Sequence, residues 1–331
     1  MGGDVMTKTL TRRTLIGGVG GIAALAAGTA AAADWPSRTI TIIHGFPAGG
    51  PSDVIARLIA DGLQRSLGQP VIVEPKPGAS GTSASSFVSR AAPDGYILMV
   101  IPSGFATAAA TFAHLPYRSL GNFATITLAS EYPYLMCTNV SSGIKTVAEL
   151  LNAARSRPAP LLYGSPGLGS GPHLAIELFA LKTKIKVQHV PFRGSEPASL
   201  ELLAGRLDFM MDPPATLIPH VRSGKLNALA VSSAKHYFAL PEVPTVAESG
   251  VPGFNVSAWQ GLVAPAGVPA PILTRLNTEV VRILKEPATI EKLHAFGNEP
   301  APTTPQQFNK RLADDIALWS ALADEIHFQK I

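Results

Sequence analysis

Four segments of the chain concentrate glycine, serine and proline: G-F-P-A-G-G-P-S at 45–52, K-P-G-A-S-G-T at 76–82, G-S-P-G-L-G-S-G-P-H at 164–173 and P-F-R-G-S-E-P-A at 191–198. Pro102-Ser103-Gly104 and Asp212-Pro213-Pro214 are shorter examples. Each follows a short apolar run, and most precede a stretch with helical periodicity. Glycine lets a ligand approach the main chain. Hydroxyls add donors and acceptors, and a helix start offers unpaired N–H groups at the positive end of its dipole. Together these groups suit a carboxylate or a phosphate. The charged side chains among them are few: Asp53, Lys76, Arg193, Glu196 and Asp212. A mostly neutral cradle of donors can hold an anion without an ion pair and still release it.

Turn and capping chemistry alone explains any one of these loops. Ser52 or Asp53 reads as an N-cap or first-turn carboxylate, and Phe46 as a cover for the core edge. His173 at a helix start reads as a satisfied structural histidine, and Trp259 as packing. The recurrence of such loops is what argues for binding.

Covalent chemistry finds little support. The chain has no G-x-S-x-G elbow, no G-x-x-x-x-G-K-[ST] loop and no H-E-x-x-H pair. Its eight histidines show no metal-ligand spacing, and one cysteine, Cys137, excludes an intrachain disulfide or a cysteine-based zinc site. A Ser/His/Asp set could still assemble in space, in which case Ser165, His173 and Asp212 are the residues to examine. No metal and no cofactor is expected.

The elements that must position these loops repeat one pattern. Thr39–Ile43, Val71–Val73 and Tyr96–Ile101 read as strands, each followed by one of the loops. Ile55, Leu58, Ile59, Leu63 and Leu67 then recur at helical spacing. The pattern resumes at Leu161–Tyr163, Val187–Val190, Leu207–Met211 and Leu226–Val231. Strands alternating with helices predict α/β lobes with mostly parallel sheets, whose ligands bind at the strands' carboxyl ends. Two long extended stretches, Ala124–Val140 and Phe254–Ala264, could carry the chain across a lobe boundary. Helical stretches at Pro271–Leu284 and Pro305–Ile326 follow. The expected division is 34–132 and 257–331 for one lobe, with 133–256 inserted as the other.

Over 331 residues, 46% hydrophobic and 15% charged residues exclude a disordered chain. A net charge of +4, with no Lys/Arg cluster, gives no support to nucleic-acid binding. Part of the apolar excess belongs to the start of the chain. Arg12-Arg13 precede an uncharged Gly/Ala-rich stretch that ends in Ala30–Ala33, the pattern of a secretory signal peptide cleaved near Ala33/Asp34, with a twin arginine suggesting the Tat route. The Gly18-x-Gly20-x-x-Ala23 spacing inside this leader is therefore no dinucleotide site. Residues 1–33 are read as the leader, and the exported chain as periplasmic.

The order of motifs resembles that of the Bug family, the periplasmic solute-binding receptors of tripartite tricarboxylate transporters. The resemblance rests on W-P-S-R-T-I-T-I-I-H-G-F-P-A-G-G-P-S-D-V-I-A-R (35–57), L-G-Q-P-V-I-V-E (67–74), A-A-P-D-G-Y (91–96), L-P-Y (115–117), P-H-L (172–174) and P-F-R-G-S-E-P-A (191–198). It continues through G-K-L-N-A-L-A-V (224–231), L-P-E-V-P-T-V-A-E-S-G (240–250) and W-Q-G-L-V-A-P-A-G (259–267). It implies a type II periplasmic-binding fold, two α/β lobes closing on a ligand, and agrees with the inserted lobe. It implies as ligand a small organic anion, a mono-, di- or tricarboxylate. As partner it implies a cognate inner-membrane transporter, engaged transiently by a monomer. On the family's pattern, Phe46, Ala48, Gly49, Gly50, Ser52 and Asp53 form the first-lobe ligand loop; Ser103, in the strand-end loop at 102–104, is a further ligand-binding candidate from the loop reading. Ser165, Gly169, Ser170 and His173, then Phe192, Arg193, Gly194 and Ser195, and finally Asp212 come from the inserted lobe. The chain departs from the pattern at His44-Gly45, where many members have Val-Pro, and at Pro213, where many have Asn. A sensor that presents the same ligand to a signalling partner is the alternative reading, and a periplasmic hydrolase a remote one.

Overall fold

The computed structural model describes residues 1–3 and 35–331, so the leader reading lies outside the described residues. The first strand, β1 (Ile40–His44), has Ile40, Ile42 and Ile43 fully buried. It pairs in parallel with β2 (Val71–Pro75) and β3 (Ile97–Pro102). Parallel neighbours need a crossover. The first crossover is α1 (Pro51–Leu67), which lays Ile55, Ile59 and Leu63 on the sheet and ends at Gly68 in the left-handed conformation. The second is the short α2 (Thr82–Val88). After β3 come α3 (Gly104–Thr111) and the long β4 (Phe123–Pro133).

One residue, Tyr134, separates β4 from β5 (Leu135–Asn139), which belongs to a second sheet. That sheet is built from α4 (Val147–Ser156), β6 (Leu161–Ser165), α5 (Gly171–Thr183), β7 (Val187–Pro191), α6 (Ser195–Leu203), β8 (Phe209–Asp212), α7 (Pro214–Arg222) and β9 (Leu226–Val231). Residues 232–256 lead back to β10 (Ser257–Pro265) in the first sheet. They are followed by α8 (Ala270–Leu284), α9 (Pro287–Ala295), β11 (Glu299–Pro300) and α10 (Pro305–Glu325). The strand orders are β11-β4-β10-β3-β1-β2 and β7-β6-β8-β5-β9. No helix among the described residues is long and apolar enough to cross a membrane.

The sheets are mixed rather than mostly parallel. β1 runs parallel to β2 and β3, and β6 to β7 and β8, while β10 and β5 run antiparallel to both their neighbours. A strand arriving from the other lobe enters at the edge where the parallel strands finish, so it must run against them. The register shows this. The first residue of β5, Leu135, lies opposite the last of β8, Asp212, and the first of β10, Ser257, lies opposite the last of β4, Pro133. The carboxyl ends of β3, β4 and β8 therefore face the boundary that the chain crosses.

Candidate functional site

The first-lobe loop is held from below. Asp53 lies in the first turn of α1 and is buried. Its Oδ1 is 3.0 Å from Nε2 of the buried His44, while Oδ2 accepts from Gly49 N–H and Arg57 Nε, both at 2.9 Å. The Arg57 bond, more than the Gly49 and His44 bonds, holds the Asp53 carboxyl below the usual range against the opposing effect of burial. His44 is thus a core residue that fixes the loop, which accounts for its place in this chain. Ser52 is also buried, with its hydroxyl on Gln260 Oε1 at 3.0 Å. Ala48 and Gly49 remain exposed and Gly50 partly so, at a helix start with no side-chain cap. Asp53→Ala is expected to lower stability by about 2–3 kcal/mol, since it strips partners from buried His44 and from Gly49 N–H. An unchanged denaturation midpoint would contradict this role.

The inserted-lobe loop follows β6. Ser165 is fully buried. Its hydroxyl lies 2.7 Å from His189 Nε2, 3.0 Å from Gly167 O and 3.2 Å from Gly167 N. Ser170 caps α5 through His173 N–H. His173 Nδ1 accepts from Gly169 N–H at 3.0 Å, and its ring stacks on His189 with centroids 3.9 Å apart. Burial pushes His173 down to about 3, assisted by His189, and pushes His189 down to about 4. Both therefore stay neutral near pH 7. Leu168 is exposed and Gly167 partly so, Gly169 is buried, and Ser165 and His173 brace the turn from beneath.

Arg193 is exposed and makes no salt bridge among the described residues; Gly194 beside it starts α6 with φ +114 and no side-chain cap. Asp212 is buried at the end of β8, and both its Oδ atoms lack a hydrogen-bond partner of ordinary geometry. It shares a strand face with Met210, which packs with Ala198, Leu202 and Leu217 of α6 and α7. Burial lifts its pKa to about 7, tempered by the nearby Ser195 and Thr216 hydroxyls. Asp212 thus lies beneath two helix starts. Ser103, which starts α3, also has no side-chain cap. It lines a cavity of about 210 Å³ that both lobes border, with Thr107, Tyr134, Gly171 and Arg311. Gly171 must be glycine here, because a Cβ would stand 2.0 Å from the Tyr134 hydroxyl.

The set Ser165, His173 and Asp212 does not assemble. Ser165 meets His189 instead, His173 serves Gly169, and Asp212 sits against α6 and α7. Triad chemistry needs a base oriented by a third group, and no carboxylate bonds His189 among the described residues. Trp259 packs against Phe308 and donates its N–H to Asp315 Oδ2 at 2.7 Å, in keeping with its reading as packing. No hydrogen bond among the described residues joins the 46–53 loop to the inserted-lobe candidates, while Gly169 lies against Thr111 of α3, where a Cβ would stand 3.2 Å from it.

The family model described as tripartite tricarboxylate transporter family receptor matches residues 55–328. The chain belongs to this receptor family. The resemblance carried by the motifs is therefore correct. Protein BugT of Bordetella pertussis is 34% identical over 293 residues, covering 88% of this chain and 90% of that one. Among solved structures, Rhodopseudomonas palustris Rpa4515 with adipate is 33% identical, covering 90% of this chain and 100% of that one, with a TM-score of 0.76. MatC from Rhodopseudomonas palustris, with bound malate, is 34% identical over 87% of this chain and 99% of that one, with a TM-score of 0.71.

Within this receptor, sequence reasoning passed over His189, Gln260 and Tyr134. His189 and Gln260 lie in strands whose local pattern shows no loop or cap. Their roles come from neighbours on other strands.

Proposed function

We propose that this receptor captures a small organic anion, a mono-, di- or tricarboxylate, between its two lobes and delivers it to an inner-membrane transporter. The observation that carries the reading is the set of helix starts after strands. α1, α3, α6 and α7 begin at Gly50, Ser103, Gly194 and Pro213, and none of them carries a side-chain cap. Each such start offers partial positive charge and N–H donors to an anion. With Arg193 the only cation of the candidate set, the cradle favours a carboxylate held mainly by neutral donors. Relatives of about one-third identity seen with adipate and malate support the same ligand class.

The working cycle is non-catalytic. The first-lobe loop receives the anion, and the inserted lobe moves about the crossings at Tyr134 and 232–256 to add its own donors. The ligand shifts the open–closed balance by its differential affinity for the closed form. The protein acts as a monomer, in the periplasm after loss of the leader, with no metal or cofactor.

A thermal-shift series over mono-, di- and tricarboxylates tests this reading. A ligand at one hundred times its Kd stabilises by about 2.7 kcal/mol, which moves the midpoint of a protein this size by several degrees. At least one carboxylate is expected to do so. A shift produced only by neutral sugars or cationic amines would overturn the reading.

A further inference from the structure

A serine hydroxyl 2.7 Å from a histidine ring nitrogen has the spacing of a nucleophile and its base. The other contacts of Ser165 Oγ assign the bond the opposite polarity. A hydroxyl has one proton to donate and two lone pairs to accept with. Gly167 N–H points at Oγ and must donate to it, while Gly167 O lies 3.0 Å away and can only accept. All three bonds are made together in one arrangement only. Ser165 gives its proton to Gly167 O, and it accepts from Gly167 N–H and from a protonated His189 Nε2.

We infer that His189 is a positioning residue of the inserted-lobe ligand loop, its Nε2–H donating to Ser165 Oγ so that the Ser165 hydroxyl clamps the Gly167 backbone. The inference rests on the binding reading of that loop. The strand register explains how the pair forms. His189 lies opposite Tyr163 on the neighbouring parallel strand, and Ser165 is two residues beyond Tyr163 on the same face. Tyr163 stacks on the His189 ring at 5.0 Å between centroids, and His173 stacks on it at 3.9 Å, so the ring cannot turn away. His173 holds the other end of the same loop through Gly169 N–H. Two stacked histidines thus brace both ends of a glycine-rich turn. The Ser165 proton is spent on the loop and is not available for removal by His189.

Nitrogen-15 NMR of the imidazoles in the wild-type protein near pH 7 is expected to show His189 protonated at Nε2. An Nε2 without a proton would overturn the inference, as would labelling of Ser165 by a fluorophosphonate probe. Amide exchange at Gly167 is expected to speed up in His189→Phe, while His189→Gln, which retains a donor near Nε2, keeps it near the wild-type rate. His189→Phe should weaken the best-bound carboxylate among adipate, malate and citrate by about tenfold. In a Ser165→Ala background the same change should add nothing. Wild-type affinity and exchange in His189→Phe would overturn the positioning role. If the wild-type protein binds no carboxylate at all, the functional reading fails, while the nitrogen-15 and exchange measurements still decide the role of His189.

Discussion

Replacing Gly45 by alanine is expected to cost about 3 kcal/mol of stability and to abolish carboxylate binding. A Cβ at this position would stand 2.5 Å from Gly81 Cα, 3.1 Å from Gly81 O and 3.3 Å from Gly81 C. All three are backbone atoms, so no side chain can rotate to make room. Gly81 has φ +88, a conformation that favours glycine, and the position its own Cβ would take lies 3.4 Å from the Phe46 ring. The two glycines therefore let the first-lobe loop and the 78–82 turn touch main chain to main chain. Separating them displaces Phe46 and the Ala48–Gly50 backbone together. Chemical denaturation and calorimetric titration with the best carboxylate measure the two effects. Gly104→Ala is the control. Its Cβ would meet nothing nearer than 4.0 Å, and it lies in a helix, so stability should hold or rise slightly. A Gly45→Ala protein with a wild-type midpoint would show that the contact is not tight.

The second large effect is acid sensitivity centred on the stacked histidines. His173 is held at about 3 by burial and by His189, against an ordinary value of 6.5. Its folded pKa is depressed, so the unfolded chain takes up a proton below pH 6.5 that the folded protein refuses. Stability therefore falls as the pH drops from 6.5 towards the folded value. At pH 5 His173 alone accounts for a loss of about 2 kcal/mol. His189, held at about 4 and more open to solvent, adds a smaller loss of the same sign. Glu177 faces the same cluster, bonded to the Tyr163 hydroxyl and 3.9 Å from His173 Nε2. Burial raises its pKa, so it works in the opposite sense and offsets part of the loss. Asp53 has a lowered pKa, so its contribution is lost only below the usual carboxylate range, under the histidine window. Asp212, lifted by burial to about 7, takes up its proton in the folded state over the same window and works against the loss. The His173 contribution is therefore read by urea unfolding of the wild type and His173→Asn side by side between pH 7 and 5. His173→Asn, whose side-chain oxygen can still accept from Gly169 N–H, lacks the His173 loss and should gain stability relative to the wild type as the pH falls. An equal slope in the variant would locate the sensitivity elsewhere.

Much of the fold was legible because it is local. The helical face Ile55, Ile59 and Leu63 is buried as its spacing requires, and the apolar runs before the loops became β1, β2, β3, β6, β7, β8 and β9. The Ala124–Val140 stretch carries the chain from one sheet to the other, but it does so as two strands broken at Tyr134. The mixed character of the sheets was not legible. Strand direction is set by the edge at which a returning segment enters, and no residue in β5 or β10 encodes that locally.

The candidate site divides along the same line. The sequence by itself determined where the glycine, serine and proline loops fall, that helices follow them, and to which receptor family their order belongs. Backbone preference and capping act over a few residues, and spacing records them. Only the tertiary structure decided which side chains serve those loops from beneath. Ser165 and His189 are 24 residues apart and meet because β6 and β7 pair in one particular register. Gly45 and Gly81 meet because two loops leave neighbouring strands at the same edge. Asp212 is buried because β8 turns that face to α6 and α7. Partners across strands depend on register and on the packing of the whole lobe, and those are fixed only when the chain has folded.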